Sequence, residues 1–309
     1  MKISFVHDLS VSQSMGGAQL SNIEVIREGE KRGHEINVIN RRDYKFRYLE
    51  GSDLVILSTL RGFDKKFIKY ISEKYPFIRY EHDYVCVSAG KAYQGMTKEC
   101  MLSNHRCERC PYNFYKELFE KSILNIFLSP LHRDKHFLAF GNIIEPNYCF
   151  PSPVVVERFY PDVGRRRIKG SYLYVGSIAK HKGMDKIAAF IRKNPKSVFT
   201  MVGELRKECE YLKELPNCNL VPGVSQAKLS KFYSAAEKFL HFPLWDEPFG
   251  RTVMEAYLSG CEIITNHRVG AMSYGWDLSK MDEIREIIRN SPKKLWERIE
   301  KAISEPRLP

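Results

Sequence analysis

The sequence predicts an α/β protein of two parallel-sheet domains. Short β-rich runs alternate with helical-period segments from end to end, as strands joined by crossover helices do. The length, 309 residues, suits two domains of roughly 150 residues each. A stretch rich in proline, glycine and charge, without apolar periodicity, interrupts the alternation near the middle of the chain.

In the first half, strands are expected at 3–7, 35–39, 53–58, 77–80 and 125–128, with helices beginning near Ala18, Phe63, Pro111 and Leu131. The helix from Ala18 ends near Gly33, a residue suited to a left-handed cap. Pro151-Ser152-Pro153, followed by Phe159-Tyr160-Pro161-Asp162-Val163-Gly164-Arg165-Arg166-Arg167, reads as the linker. Beyond it the scheme repeats, with strands at 171–175, 198–202, 220–221, 239–242 and 262–265 and helices from about Met184, Gln226 and Gly250. The segment 292–304 sets Leu295, Ile299 and Ile303 at helical spacing among charges, so an amphipathic surface helix is expected. The domains are therefore drawn as 1–157, with a cysteine-rich insertion at 86–110, and 158–290, followed by a C-terminal helix in 291–309 that can pack back on the first domain. Open parallel sheets bind ligands at the carboxyl ends of their strands. Functional residues are sought in the loops that follow strands and in a cleft between the two domains.

Hydrophobic residues at 43% and charged residues at 28% exclude disordered and collagen-like classes. No apolar run approaches the roughly 20 residues that a membrane span needs. Met1-Lys2-Ile3-Ser4-Phe5-Val6-His7-Asp8 reads as a first strand and not as a signal peptide, so a cytoplasmic protein is expected. The net charge of +12 favours an anionic partner: nucleic acid, an acidic bilayer or a nucleotide phosphate.

After the first strand, Ser14-Met15-Gly16-Gly17-Ala18-Gln19 opens a helix with a glycine pair. Glycines admit close backbone approach, and free amides at a helix start attract phosphate. A tight turn is the plain alternative, and the spacing is not that of the dinucleotide fingerprint. In the second half, Val175-Gly176-Ser177-Ile178-Ala179-Lys180-His181-Lys182-Gly183 puts two lysines ahead of a helix, where one can sit against a diphosphate; solvated loop lysines are the plain reading. His241-Phe242-Pro243-Leu244-Trp245-Asp246-Glu247-Pro248-Phe249-Gly250-Arg251-Thr252-Val253-Met254-Glu255-Ala256 carries Glu247 in a loop and Glu255 two turns into a helix. Carboxylates so placed can grip vicinal hydroxyls, whereas surface glutamates would be the ordinary interpretation. Cys86, Cys100, Cys107 and Cys110 lie in one loop-rich segment, and Cys107-Glu108-Arg109-Cys110 has the pair spacing of a thiolate zinc site. Structural zinc is favoured, ahead of free thiols and of disulfides.

The glutamate pair framed as Glu-Pro-Phe-Gly and Glu-Ala, with Lys182-Gly183 and the glycine loop in support, resembles the retaining glycosyltransferases of GT-B fold called family 4, or glycosyl transferases group 1. The likeness covers most of the chain: Arg32-Gly33-His34-Glu35-Ile36-Asn37-Val38, Glu157-Arg158-Phe159-Tyr160-Pro161 and Pro222-Gly223-Val224 also fit it. It implies two Rossmann-like domains facing across a cleft and transfer of a hexosyl unit from a nucleotide-diphosphate sugar to an acceptor hydroxyl with retention. By position, Glu255 would hold the donor ribose, Glu247 the donor sugar and Lys182 the diphosphate. Ser177, Phe249, Gly250, Arg251 and Thr252 would line the donor site, and the Gly16 and Gly17 amides would approach the diphosphate or sugar. His82, in Tyr80-Glu81-His82-Asp83-Tyr84, matches the histidine beside the donor sugar; a lone strand-end histidine would otherwise be read as structural. Ser177 departs from the family, which has arginine there, and Arg251 is a candidate for the missing charge. Some relatives carry a similar cysteine cluster.

No Asp-x-Asp motif is present, in keeping with a metal-independent reaction that requires no cofactor. A UDP- or GDP-sugar is the expected donor, with a glycan, lipid-linked or protein acceptor; peripheral contact with an anionic membrane is compatible with the charge. Two other readings compete. One is a non-catalytic GT-B scaffold or partner subunit, suggested by Ser177. The other is a zinc-containing nucleic-acid-binding protein using Arg165-Arg166-Arg167, disfavoured because the basic residues are dispersed and no nucleic-acid module is visible.

Overall fold

The computed structural model describes residues 1–8, 16–84, 112–161, 164 and 166–305. Two compact units emerge, one formed by Met1–Pro153 with Asn290–Pro309 and the other by Val154–Arg289.

In the first unit, β1 (Lys2–His7), β2 (Glu35–Asn40), β3 (Leu54–Leu57), β4 (Phe77–Tyr80), β5 (Asn125–Phe127) and β6 (Asn147–Cys149) pair in parallel in the order β2-β1-β3-β4-β5-β6. Every residue of β3 and β4 is buried, as in central strands covered on both faces. The helices are α1 (Gly17–Lys31), α2 (Lys65–Lys74), α3 (Tyr112–Lys121) and α4 (Pro130–Phe140). Helix α2 begins after Asp64, whose carboxylate accepts the Lys66 N–H at 2.8 Å, and that cap moves the start past the expected Phe63. Its buried stripe is Phe67, Ile68 and Ile71. Helix α4 is capped by the Ser129 hydroxyl, with Pro130 in the first turn.

The second unit holds β7 (Ile168–Val175), β8 (Val198–Val202), β9 (Cys218–Val221), β10 (Ala236–His241) and β11 (Glu262–Thr265), again all parallel, in the order β11-β10-β7-β8-β9. Helix α5 (Met184–Lys193) buries Met184, Ile187, Ala188 and Ile191, a heptad-spaced stripe against the sheet. Helices α6 (Gln226–Ala235) and α7 (Arg251–Leu258) follow, and α7 is buried from Val253 through Leu258.

Helix α8 (Met281–Ser304) differs from its expected form. It starts at Met281 and runs through Pro292, whereas the expected helix begins at Pro292, where proline is favoured as a first-turn residue. Ile284 and Ile288 are buried on its first half, and Leu295, Trp296 and Ile299 on its second. Trp296 belongs to the first unit: its indole N–H donates to the Val25 carbonyl at 2.7 Å, and its ring stacks on His34 at 4.8 Å. A Cβ at residue 29 would lie 2.3 Å from Trp296 Cζ2, so only glycine admits the indole against α1. Glu300 accepts from Arg32 Nε at 2.9 Å and pairs with His34 Nε2 at 3.1 Å.

Two further differences are local. The three-residue strand β6 has no counterpart among the expected strands, because so few residues carry no periodicity. Strand β7 begins at Ile168, and Arg167 is no open phosphate contact: its guanidinium donates to the carbonyls of Tyr233, at 2.9 Å, Ala236 and Ser259. Cys86, Cys100, Cys107 and Cys110, with the zinc expectation that rests on them, lie outside the described residues. Among those described, Cys149, Cys209, Cys218 and Cys261 are free thiols, and no cluster of candidate metal ligands occurs.

Among the described residues, the first unit buries His7, His82, His132 and His136. Burial lowers His7 and His132 to about 4 and holds His82 and His136 well below their ordinary value. Each is neutral when folded. As pH falls below about 6.5 the unfolded chain takes up protons that the folded state refuses, so stability present above that value is lost on the way down to pH 4. The loss by pH 5 is expected to be about 2 kcal/mol for each of His7 and His132. Hydrogen exchange of β1, β3 and β4 amides across this range measures it, and flat protection from pH 7 to 5 would contradict the burial of neutral imidazoles.

Candidate active site

Three strand-following loops of the second unit converge around α7. The loop after β7 passes through Ser177, whose carbonyl accepts the Tyr174 hydroxyl at 2.9 Å, and reaches the single turn Lys180–Lys182. The loop after β10 is tied to it by the Leu244 N–H on the His181 carbonyl at 3.0 Å. The loop after β11 braces the same segment, with the Glu247 N–H on the Arg268 carbonyl at 2.8 Å and the Gly270 N–H on the Glu247 carbonyl at 3.0 Å. Glu247 is thus held by backbone bonds on both sides.

Glu247 is 5% exposed. Oε1 accepts from Lys182 Nζ at 2.5 Å, and Oε2 accepts from His241 Nε2 at 2.8 Å. Burial works to raise its pKa, but His241 and Lys182 outweigh it and hold the group far below the usual carboxylate range. Glu247 is therefore a fixed anion. The Lys182 ammonium also rests over the Trp245 ring, 5.0 Å from its centroid, and its side chain keeps 19% exposure.

One step further along, Gly250 precedes α7, and a Cβ there would lie 3.3 Å from Glu247 Oε2. Arg251 and half-buried Thr252 form the first turn, and Phe249 is buried with its carbonyl accepting the Ala271 N–H at 2.6 Å. Glu255, 1% exposed, accepts from the Tyr233 hydroxyl at 3.1 Å and from Arg251 Nη2 at 3.3 Å. Burial pushes its carboxyl above the ordinary value against the pull of Arg251 and Tyr233. The structure therefore joins Lys182 to Glu247 and Arg251 to Glu255 within this unit. His241 and Tyr233 had no sequence signal: their roles come from where β10 ends and where α6 packs.

In the first unit, α1 begins at Gly17 with Gly16 as its N-cap, and a glycine there supplies no side-chain cap. His82 follows β4, 8% exposed; its Nε2 meets Asn22 Oδ1 at 2.9 Å, while Asn22 Nδ2 donates to Ser58 Oγ at 3.2 Å. Asn22, unmarked in the sequence, thereby ties the glycine-initiated helix to the strand-end histidine.

The model of the family "Glycosyl transferases group 1" matches residues 162–309, just under half of the chain and including Lys182, Glu247 and Glu255. A stretch of 100 residues is 29% identical to an uncharacterised 42.6 kDa protein of the cps region of Klebsiella pneumoniae; it covers 32% of this chain and 26% of that protein, about a quarter of the relative's length. Among solved structures, the sucrose-phosphate synthase of Thermosynechococcus elongatus superposes with a TM-score of 0.68 at 15% identity, covering 98% of this chain and 94% of the other. Anabaena Alr3699/HepE, solved with UDP and glucose, gives 0.62 at 15% identity over 98% and 92%. An alpha-glucosyltransferase solved with UDP and DNA gives 0.60 at 13% identity over 98% and 94%. The two parallel-sheet units and these likenesses define a GT-B fold. Among the described residues no helix is long and apolar enough to cross a membrane.

Proposed function

We propose that the protein is a glycosyltransferase that moves a hexosyl unit from a nucleotide-diphosphate sugar to an acceptor hydroxyl with retention, without a catalytic metal. The observation that carries this reading is the pair of buried carboxylates at α7, Glu247 and Glu255, each held by a cation in the segment that the family model matches. Glu255, fixed by Tyr233 and Arg251, presents acceptor lone pairs suited to the donor ribose. Glu247, an anion at neutral pH, suits the sugar hydroxyls. Lys182 keeps enough exposure to meet a diphosphate, and the amides at the start of α7 add positive dipole. Arg251 compensates for Ser177 in this reading by orienting Glu255 and adding local charge. From the first unit, the Gly16–Gly17 amides and neutral His82 are assigned to the reacting sugar. UDP is the favoured nucleotide, because four of the solved structures of similar fold hold UDP and two more hold UDP-glucose.

Calorimetry with UDP-, GDP-, ADP- and dTDP-sugars, followed by assay of donor hydrolysis, tests the proposal. One nucleotide sugar should bind, and Arg251→Ala should weaken it by about tenfold, a charge-assisted contact being worth ~1.5 kcal/mol or more. Failure of all four to bind would discard the enzyme reading. Binding without turnover toward any acceptor or water would leave the non-catalytic scaffold.

A further inference from the structure

The donor reading leaves one charged surface of the first unit unused. The loop after β2 reads Arg41-Arg42-Asp43-Tyr44-Lys45-Phe46-Arg47-Tyr48, and the loop after β3 enters α2 as Arg61-Gly62-Phe63-Asp64-Lys65-Lys66-Phe67-Ile68-Lys69. These two segments hold eight cations and two carboxylates. Both carboxylates are engaged locally: Asp43 accepts the Tyr48 hydroxyl at 3.3 Å, and Asp64 caps α2.

Aromatic rings fasten the segments together. Tyr44 packs on Phe63 at 5.1 Å and on Phe67 at 4.7 Å, and Phe46 packs on Phe67 at 5.4 Å and on Tyr70 at 4.8 Å. The Arg41 side chain lies directly against Gly62. Arg42, Lys45, Arg47, Arg61, Lys65 and Lys66 are exposed, and among the described residues none of them forms an ion pair. Lys45 and Arg47 instead lie 5.9 and 5.7 Å from the Tyr48 ring centroid, and Lys65 lies 5.7 Å from that of Phe114. Lys65 and Lys66 occupy the first turn of α2, where the helix dipole disfavours cations. Local folding gives no reason for this accumulation of like charge.

Its position supplies one. Strands β1 to β4 are parallel neighbours, so the loops after β2 and β3 leave the same end of the sheet as Gly16–Gly17 after β1 and His82 after β4. We propose that these cations and rings form the subsite for an acidic acceptor, a saccharide chain bearing carboxylates. The proposal deepens the glycosyltransferase reading and rests on it. The exposed Phe46 ring suits the C–H face of a sugar, and the cations match its carboxylates. Within the two segments the exposed large apolar side chain is Phe46, at 49%, which is little apolar area with which to enter a bilayer.

The test measures binding of a short oligouronate and of its carboxyl-reduced, neutral counterpart at low and high salt. Wild-type protein is compared with the triple variant Arg42→Ser, Lys45→Ser, Arg47→Ser, and circular dichroism checks its fold. Wild type should bind the oligouronate, prefer it to the neutral chain and lose affinity as salt rises; the triple variant should bind it about tenfold more weakly or worse. Equal binding of the charged and neutral chains, unchanged binding by a folded variant, or stronger binding to single-stranded DNA or to phosphatidylglycerol vesicles would overturn the proposal. Wild-type binding to UDP-sugars is measured alongside. Its absence would remove the donor reading, whereas absent oligouronate binding beside intact nucleotide binding would remove only the acidic subsite.

Discussion

Gly183→Ala is expected to destabilise the second unit by more than about 3 kcal/mol, among the larger effects a single substitution produces. Gly183 sits at φ +82°, between the turn Lys180–Lys182 and α5, and a Cβ there would stand 1.8 Å from the Phe242 carbonyl oxygen. The obstacle is backbone, so no rotamer relieves it. An alanine must displace the loop after β10 or abandon the left-handed conformation that ends one turn and starts the next helix. Either movement carries Lys182 away from Glu247, so nucleotide-sugar affinity should fall together with the urea midpoint. Gly223→Ala is the control: nothing lies within 4 Å of its added Cβ, and a change below about 0.5 kcal/mol is expected. An alanine at 183 that unfolds at the wild-type midpoint would refute the close approach.

Glu247→Gln should cut sugar transfer by roughly a hundredfold, a larger loss than the one in affinity for free UDP that follows from releasing Lys182. Hydrogen bonds to a charged acceptor are worth about 1.5–3 kcal/mol, and in the proposed reading Glu247 supplies them to the sugar and not to the nucleotide. The variant also leaves the Lys182 ammonium without its carboxylate. Breaking a buried pair typically costs about 3–5 kcal/mol; here the effect should be smaller, because the Lys182 side chain keeps 19% exposure and can turn to water. A pH arm separates charge from shape. The folded-state pKa of Glu247 lies below its unfolded value, so its contribution to stability is present above about pH 4.5 and lost as pH falls further; the glutamine variant should lack that part of the acid dependence. Wild-type turnover in Glu247→Gln would end the sugar-binding role.

Much of the architecture is legible in the chain because parallel strands covered on both faces must be continuously apolar. The run 77–80 coincides with β4, every residue of which is buried, and 198–202 with β8; 262–265 coincides with the edge strand β11, exposed at Glu262 and half-buried beyond it, which its β-branched residues mark instead. Elements shaped by distant partners are less legible. Helix α8 looks like a short helix beginning at Pro292, yet its continuation back to Met281 depends on the burial of Ile284 and Ile288. Gly29 carries no pattern at all until Trp296, 267 positions later, lies against it. Arg167 reads as linker charge but spends its donors on the carbonyls of three other segments.

The candidate site divides in the same way. Glu247, Arg251 and Glu255 are legible because the two glutamates flank a Pro-Phe-Gly bend in one short stretch, and Lys182, 65 positions before Glu247, because it stands just ahead of a helix. The pairing of Lys182 with Glu247, the Tyr233 hydroxyl on Glu255 and the His241 ring on Glu247 were not. Sequence alone determined the parallel α/β order, the surplus of positive charge and the acidic residues beside α7, since these depend on local pattern and composition. Tertiary structure alone decided which cation neutralises which carboxylate, where Trp296 is seated, and that the basic loops after β2 and β3 share one end of the sheet with His82. Those outcomes are set by contacts between residues far apart in the chain, which no local spacing encodes.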